Sequence, residues 1–386
     1  MKFKFLSILV AATCCLSACS DKDNPTPDHN EGGDETEASA DIDYNEKNAV
    51  SWANYMSQVS NLLQKDATSL YDSWTLSYQG GKPFAEIFKA HNGGDYSSAL
   101  ACIEQILDGC ADICNEVGTS KIGEPYNLMK AGQSEKALYA VESWYSWHSR
   151  EDYSNNIFSI RNSYYGSLNG EVSPNSIATL VNAIDPSLDN TMRSSIAATV
   201  QSILAIAQPF RNNIDSDASR AAMKACADLE ELINNSLKPL IEKLDANDPR
   251  LQQIAEHYVD DVVLPTYKTL KERNAALHQS ALAFKAAPSD AGFAAACEAW
   301  LNAREPWEKS EAFLFGPVDA LGLDPNMDSW PLDQDAIVQI LNSGKYDNLD
   351  WSDDDSDEKI EAVQSVRGFH TLEFLLFKDG RPRTIK

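Results

Sequence analysis

Apolar residues recur at helical spacing through almost the whole of this chain, and that leaves few architectures open to it. Asn48 to Trp74 sets Val50, Tyr55, Val59, Leu62, Leu63, Leu70 and Trp74 on one side of a helix, the pattern of a single buried face. Tyr96 to Glu116, Pro186 to Ala207, Ala218 to Leu244, Arg250 to Ala286, Pro288 to Ala303 and Ile360 to Phe377 repeat it. No region alternates with the period of two that a half-buried strand requires. Asp185-Pro186 and Asp248-Pro249 each put an N-cap ahead of proline, and Gly80-Gly81 follows a helix end. Phe315 to Leu332, rich in proline and glycine, reads as a long loop carrying Trp330, and Asp353 to Glu358 as a solvated acidic loop. Long helices with short connections predict an all-α fold of packed antiparallel bundles.

The N-terminus belongs to a different kind of structure. Met1-Lys2-Phe3-Lys4 is basic, Phe5 to Leu16 is apolar, and Leu16-Ser17-Ala18-Cys19 has the small-residue pattern that precedes cleavage. The apolar stretch is too short for a stable bilayer span. Residues 1–18 therefore read as a lipoprotein signal and Cys19 as the lipidated first residue of the mature chain. Residues 19–43 are rich in Asp, Glu, Asn, Pro and Gly and read as a disordered tether. Ser20 follows Cys19 where an inner-membrane retention signal would place aspartate, so the expected location is the outer membrane, periplasmic or surface-exposed. Ser20-Asp21-Lys22-Asp23 is a candidate export tag.

The formal net charge is −26, and becomes −28 once Lys2 and Lys4 leave with the signal. So acidic a surface argues against nucleic acid and against an anionic membrane face, and suits the attraction of cations. Five cysteines lie beyond the anchor: Cys102, Cys110, Cys114, Cys226 and Cys297. Their odd number excludes complete pairing, and their spacing forms no zinc knuckle, so they read as small buried residues.

One short segment carries chemistry. Gly368-Phe369-His370-Thr371-Leu372-Glu373 opens the apolar run Phe374-Leu375-Leu376-Phe377. On a helix His370 and Glu373 share a face. Each would cost several kcal/mol to bury unpaired, roughly the price of a stranded polar group. Something must satisfy them: one another, a third polar group, or a metal; imidazole plus carboxylate suits iron or zinc.

The succession Ala294–Phe315 (AAACEAWLNAREPWEKSEAFLF), then GPVDALGLDPNMDSWPLD, then GFHTLEFLLF, resembles the imelysin-like family. That family's signature is Gly-x-His-x-x-Glu preceded by Ala-Trp, Arg-x-Pro-aromatic and Ser-Glu-Ala-Phe elements. The agreement covers Tyr258 to Phe377 in order. Elements that usually follow the signature resemble Tyr55 to Trp74, Asp152 to Asn156 and Asn162 to Gly166, all of which precede it here. The resemblance thus implies a circularly permuted form with the end near Phe377 beside the start near Asp43. It implies two packed four-helix-bundle halves, residues 44–249 and 250–386, with a polar site between them.

Site residues carry over by position. His370 and Glu373 match the signature, with Gly368 allowing close helix approach. Arg304 and Glu311 match the second element. Asp152 and Asn156 stand four apart on a predicted helix, with His148 and Ser149 just upstream. If Ala294 to Phe313 is one helix bent at Pro306, then Trp300, Arg304, Trp307 or Glu308, and Glu311 form a stripe. The plainer alternatives are an Arg304–Glu308 pair on a solvated face and tryptophans in plain core packing. The resemblance implies a binding protein associated with iron uptake, taking iron or an iron-containing ligand such as haem, with transporter components as candidate partners. The rival is a zinc-dependent peptidase. It needs three protein ligands, a water position and a base, and neither His-Glu-x-x-His nor a nucleophile frame is present.

Overall fold

The computed structural model describes residues 42–91, 96–346, 349–352 and 354–385. The lipoprotein signal, Cys19 and all but the last two residues of the tether lie outside the described residues. Within these, helices dominate, and the strands are a two-residue antiparallel pair, Phe377–Lys378 with Arg381–Pro382. The expected caps form: Asp185 accepts from the amides of Ser187 and Leu188, and Asp248 from that of Arg250. Ser98, Ser216 and Ser289 cap other helices in the same way.

The helices close into two rings of four. In the first, Ala49–Thr75 packs on Leu264–Ala286, which packs on Asp290–Glu308, and Gly368–Leu376 completes the ring against the first and third. In the second, Ala99–Glu116, Ser149–Tyr165, Pro186–Leu204 and Asp217–Leu232 pack in turn. The first helix among the described residues thus joins the bundle that also carries the motif, so the expected division into 44–249 and 250–386 does not follow the two bundles. Trp52 donates from Nε1 to the Leu375 carbonyl at 3.0 Å, and the Tyr55 hydroxyl to that of Val366 at 2.6 Å. Trp52, Trp74, Trp300 and Trp307 are wholly buried, and the five cysteines are buried and unpaired.

The beginning and end of the described body lie side by side, as a permuted chain requires. Lys378 Nζ is 3.1 Å from Asp43 Oδ1, and Arg383 donates to the Ile42 carbonyl at 2.8 Å.

Three segments depart from the sequence expectations. Phe315 to Leu332 is not a plain loop: Pro317–Ala320 and Leu323–Asp328 are short helices, the first started by proline at its first position, where no amide partner is needed. Ile360 to Phe377 is two helices, Asp357–Gln364 and Gly368–Leu376. The break falls where Gly368 adopts φ +86°, and a Cβ there would meet the Met327 carbonyl oxygen at 2.6 Å. Glycine is therefore required both for the turn and for the close approach. Ala294 to Phe313 is not one helix: Pro306 lies inside the helix, not at its end. The helix continues to Glu308, stops, and resumes as a single 3-10 turn, Glu311–Phe313.

The two rings meet along that stop. Ala312 N donates to Ser159 Oγ at 3.0 Å, and a Cβ on Gly109 would fall 2.2 Å from the Ala312 carbonyl oxygen.

Candidate functional site

Arg304 lies at the centre of the seam, wholly buried. Its helix also carries Glu308 one turn on, and their 2.6 Å ion pair has no solvent access. The solvated-face alternative is thereby excluded. The guanidinium also reaches Glu142 at 2.7 Å, Asp152 at 3.6 Å and Asp328 in a closer contact. Its carbon sits 5.4 Å from the Phe369 ring centroid. Four carboxylates from four segments thus converge on one buried cation, an arrangement that survives desolvation only because every charge is paired.

His370 and Glu373 share one face of the Gly368–Leu376 helix and are fully buried. His370 Nδ1 is 2.9 Å from Glu373 Oε2, while Nε2 is 3.1 Å from Asp328, 3.3 Å from Glu142 and 3.2 Å from an Arg304 nitrogen. Carboxylates on both ring nitrogens call for a doubly protonated imidazolium. Burial and Arg304 push its pKa down, but the bonds to Asp328, Glu142 and Glu373 prevail and hold it well above the ordinary histidine range. Glu373 Oε1 accepts from the amides of Tyr145 and Ser146 and from the Ser146 hydroxyl, at 3.0, 2.7 and 2.7 Å.

Those amides come from a turn, residues 140–148, in which Ser143 and Trp147 hold φ +53° and +61°. Such values are costly for non-glycine residues and persist where the surroundings enforce them. Here the turn wraps Glu373 and delivers Glu142 to Arg304. Asp152 and Asn156 follow on Ser149–Tyr165: Asp152 accepts from Ser143 Oγ at 2.5 Å and pairs with His148 at 2.9 Å. Asn156 Nδ2 donates to Glu308 at 2.6 Å.

A cavity of about 930 Å³ opens beside this network. Glu116, Glu124, Glu135, Glu142, Glu311, Asp324 and Asp328 line it, against only Lys121 and Lys136, with Tyr139 and Trp330 among its walls. The Trp330 ring packs edge-on against His370 at 4.9 Å. Lys121 closes a π-helical turn, Val117–Lys121, a distortion that re-aims side chains and recurs at functional sites. It pairs with Glu142 at 2.9 Å and Glu116 at 3.5 Å.

The carboxylates fall into two groups. Burial works against the charge of Glu142, but Lys121, His370 and Arg304 outweigh it and hold the group well below the usual range. Asp328 is lowered against its burial by Arg304 and His370. Burial instead carries Glu311 well above the usual range, with Lys121 opposing and Glu116 adding to it. Asp324, exposed on the cavity wall, is pushed up to about 7 by the desolvating protein around it, Asp328 and Glu116.

Two sets of ligand atoms lie within 4.8 Å of one another: Glu142, Asp328 and His370, and Glu308, Glu311 and Asp328. Oxygen donors with one imidazole suit iron or zinc by chemical type. Of the residues singled out in the sequence, His370, Glu373, Arg304, Asp152 and Asn156 join one network, Glu311 faces the cavity, and Gly368 seats the motif helix. Sequence reasoning missed Glu142, Asp328, Asp324 and Lys121, and gave Glu308 only as an alternative. Asp328 lay in the supposed loop, and nothing local marks Glu142 or Lys121.

An all-helical protein with a buried His-x-x-Glu and a carboxylate-walled cavity between two bundles is the class that fold and site define. The imelysin family model matches residues 27–236 and 263–386, and the chain belongs to that family. A crystal structure of an imelysin peptidase from Bacteroides ovatus is 56% identical, covers 90% of this chain and all of its own, and superposes with a TM-score of 0.89. Iron-regulated protein A of Synechococcus elongatus is 35% identical over 130 residues, 34% of this chain. The match spans only about a third (33%) of that curated relative's length. A crystal structure of an iron-regulated protein A precursor from Parabacteroides distasonis is 36% identical, over 45% of this chain and 51% of its own, with a TM-score of 0.41.

Proposed function

We propose that this chain is a lipid-anchored, extracytoplasmic binding protein that captures iron, or an iron-containing ligand, in the cavity at the seam of its two bundles. The observation that carries the reading is the cavity wall, seven carboxylates against two lysines, set against the buried His370–Arg304 network. A low-dielectric cleft lined by one sign of charge concentrates the opposite ion. The name of the Synechococcus relative, an iron-regulated protein, favours iron among cations.

The zinc peptidase reading is less well supported. Such an enzyme needs an open metal position and a free base. In this chain Glu373 already accepts four hydrogen bonds, and Arg304 occupies the point where His370, Glu142 and Asp328 converge. Calorimetric titration with Fe²⁺, Fe³⁺, haem and Zn²⁺ tests the proposal: binding of iron at one site is expected, and no heat with any of them ends it. Chelator-sensitive cleavage of an unfolded substrate, lost in Glu373→Gln, would instead establish the peptidase. For the anchor, Cys19→Ala is expected to release soluble protein, and protease shaving of intact cells separates a surface from a periplasmic location.

A further inference from the structure

We infer that the cavity holds its cation by outer-sphere contact: the metal keeps a ligand shell of its own, water or a small chelator, and the carboxylates grip that shell. This rests on the cation-binding reading above and specifies the form in which the cation is taken.

Three observations lead there. First, each candidate coordination point is already in contact with a resident cation, Arg304. Glu142 Oε1 and Asp328 Oδ1 accept from Arg304, and His370 Nε2 lies 3.2 Å from its guanidinium. These three are one of the two sets of groups that could bind a bare ion; in the other, Glu308 and Asp328 also pair with Arg304, and Glu311 alone does not. Arg304 cannot step aside cheaply, because Glu308 and Asp152 also hold it and it packs over Phe369. An ion placed among those atoms would face a guanidinium at contact distance.

Second, the cavity has room for far more than a bare ion. At about 930 Å³ the cavity has room for on the order of thirty waters at roughly 30 Å³ each. A direct coordination site instead needs six or so donors within about 2.6 Å of one point. The volume falls in the range of small-molecule pockets.

Third, a carboxylate waits there without a partner. Glu311 is 8% exposed and lines the cavity. Every other carboxylate at the centre of the site bonds Arg304, Lys121, His370 or a backbone amide, whereas Glu311 has no hydrogen bond or ion pair among the described residues. Asp324, on the same cavity wall, also has none among the described residues, but it is exposed. Two unpaired acids around an open volume present acceptors to the hydrogens of bound water or amine ligands.

Cobalt(III) hexaammine is the probe, since its ammine shell does not exchange and can be held only from outside. Titrated calorimetrically into the mature chain, it is expected to bind one site and to compete with Fe²⁺ under anaerobic conditions. Glu311→Gln and Asp324→Asn are each expected to weaken it at least threefold. Neither substitution breaks an internal bond, so thermal melting should be nearly unchanged. X-ray absorption of the iron-loaded protein should show an oxygen shell without imidazole scattering. Fe²⁺ binding with no hexaammine binding, or an imidazole in the iron shell, would overturn the inference and leave the iron reading standing. Hexaammine binding without iron binding would uphold the outer-sphere site and remove the iron reading.

Discussion

At the scale of single residues the site is a charge network whose members stabilise one another and cannot be removed singly. His370 illustrates this: its two nitrogens engage three carboxylates at 2.9 to 3.3 Å. His370→Ala leaves those acids buried with one cation fewer, and breaking a buried ion pair costs about 3–5 kcal/mol. A fall in melting temperature on the order of 10 °C is expected in a thermal scan. A melting temperature within about 1 °C of the parent would contradict the network. His148 sets a pH dependence. Burial disfavours its charged ring, but the Asp152 carboxylate overrides this and lifts the pKa to about 8. A folded-state pKa above the unfolded value of about 6.5 gives stability that is complete below pH 6.5. It is lost as pH rises through about 8. Roughly 1–2 kcal/mol is expected to disappear over that window in urea titrations, and His148→Gln should flatten the change.

At the scale of elements the seam depends on positions where the backbone leaves helical geometry. Gly368 is the most exacting: it holds φ +86°, and an added Cβ would lie 2.6 Å from one carbonyl oxygen and 2.9 Å from its carbon. Gly368→Ala is expected to destabilise by about 2 kcal/mol or more, combining left-handed strain with a forced shift of the Leu323–Asp328 helix. Because that helix carries Asp328, cation affinity should fall alongside stability. Denaturant unfolding and calorimetry on the same variant test both. The stop after Glu308, the π turn ending at Lys121 and the 140–148 turn act similarly: each irregularity aims one charged group at the seam.

At the scale of the whole molecule the closeness of its two ends invites a direct test. Arg383 already bonds the Ile42 carbonyl, so a short linker from Ile385 to Ile42 should span the gap without strain. New ends opened between Ala246 and Asn247, in the turn before the Pro249–Tyr258 helix, cut no helix. This rearranged chain is expected to keep the parent's helical circular dichroism, a melting temperature within several degrees, and cation affinity within threefold. Loss of cooperative melting would show that the present chain order matters to the packing.

The sequence by itself determined the helical class, the approximate extents of most of the long helices, the Asp-Pro starts and the motif's burial. Each of these follows from local spacing or local backbone chemistry. It also brought out His370, Glu373, Arg304, Glu311, Asp152 and Asn156, since the resemblance to a family marks those positions whatever their distance in space. Only the tertiary structure decided what the motif touches. Glu142 lies 228 residues from His370, and Lys121 reaches it only through a π turn that no composition signals. Asp328 sat in a stretch whose prolines suggested a loop. Nor could spacing reveal that Arg304 fills the point where the ligand atoms converge. Burial and charge pairing are properties of the packed whole, and only once the bundles close does the seam choose which carboxylates are paired and which, like Glu311, are left facing open space.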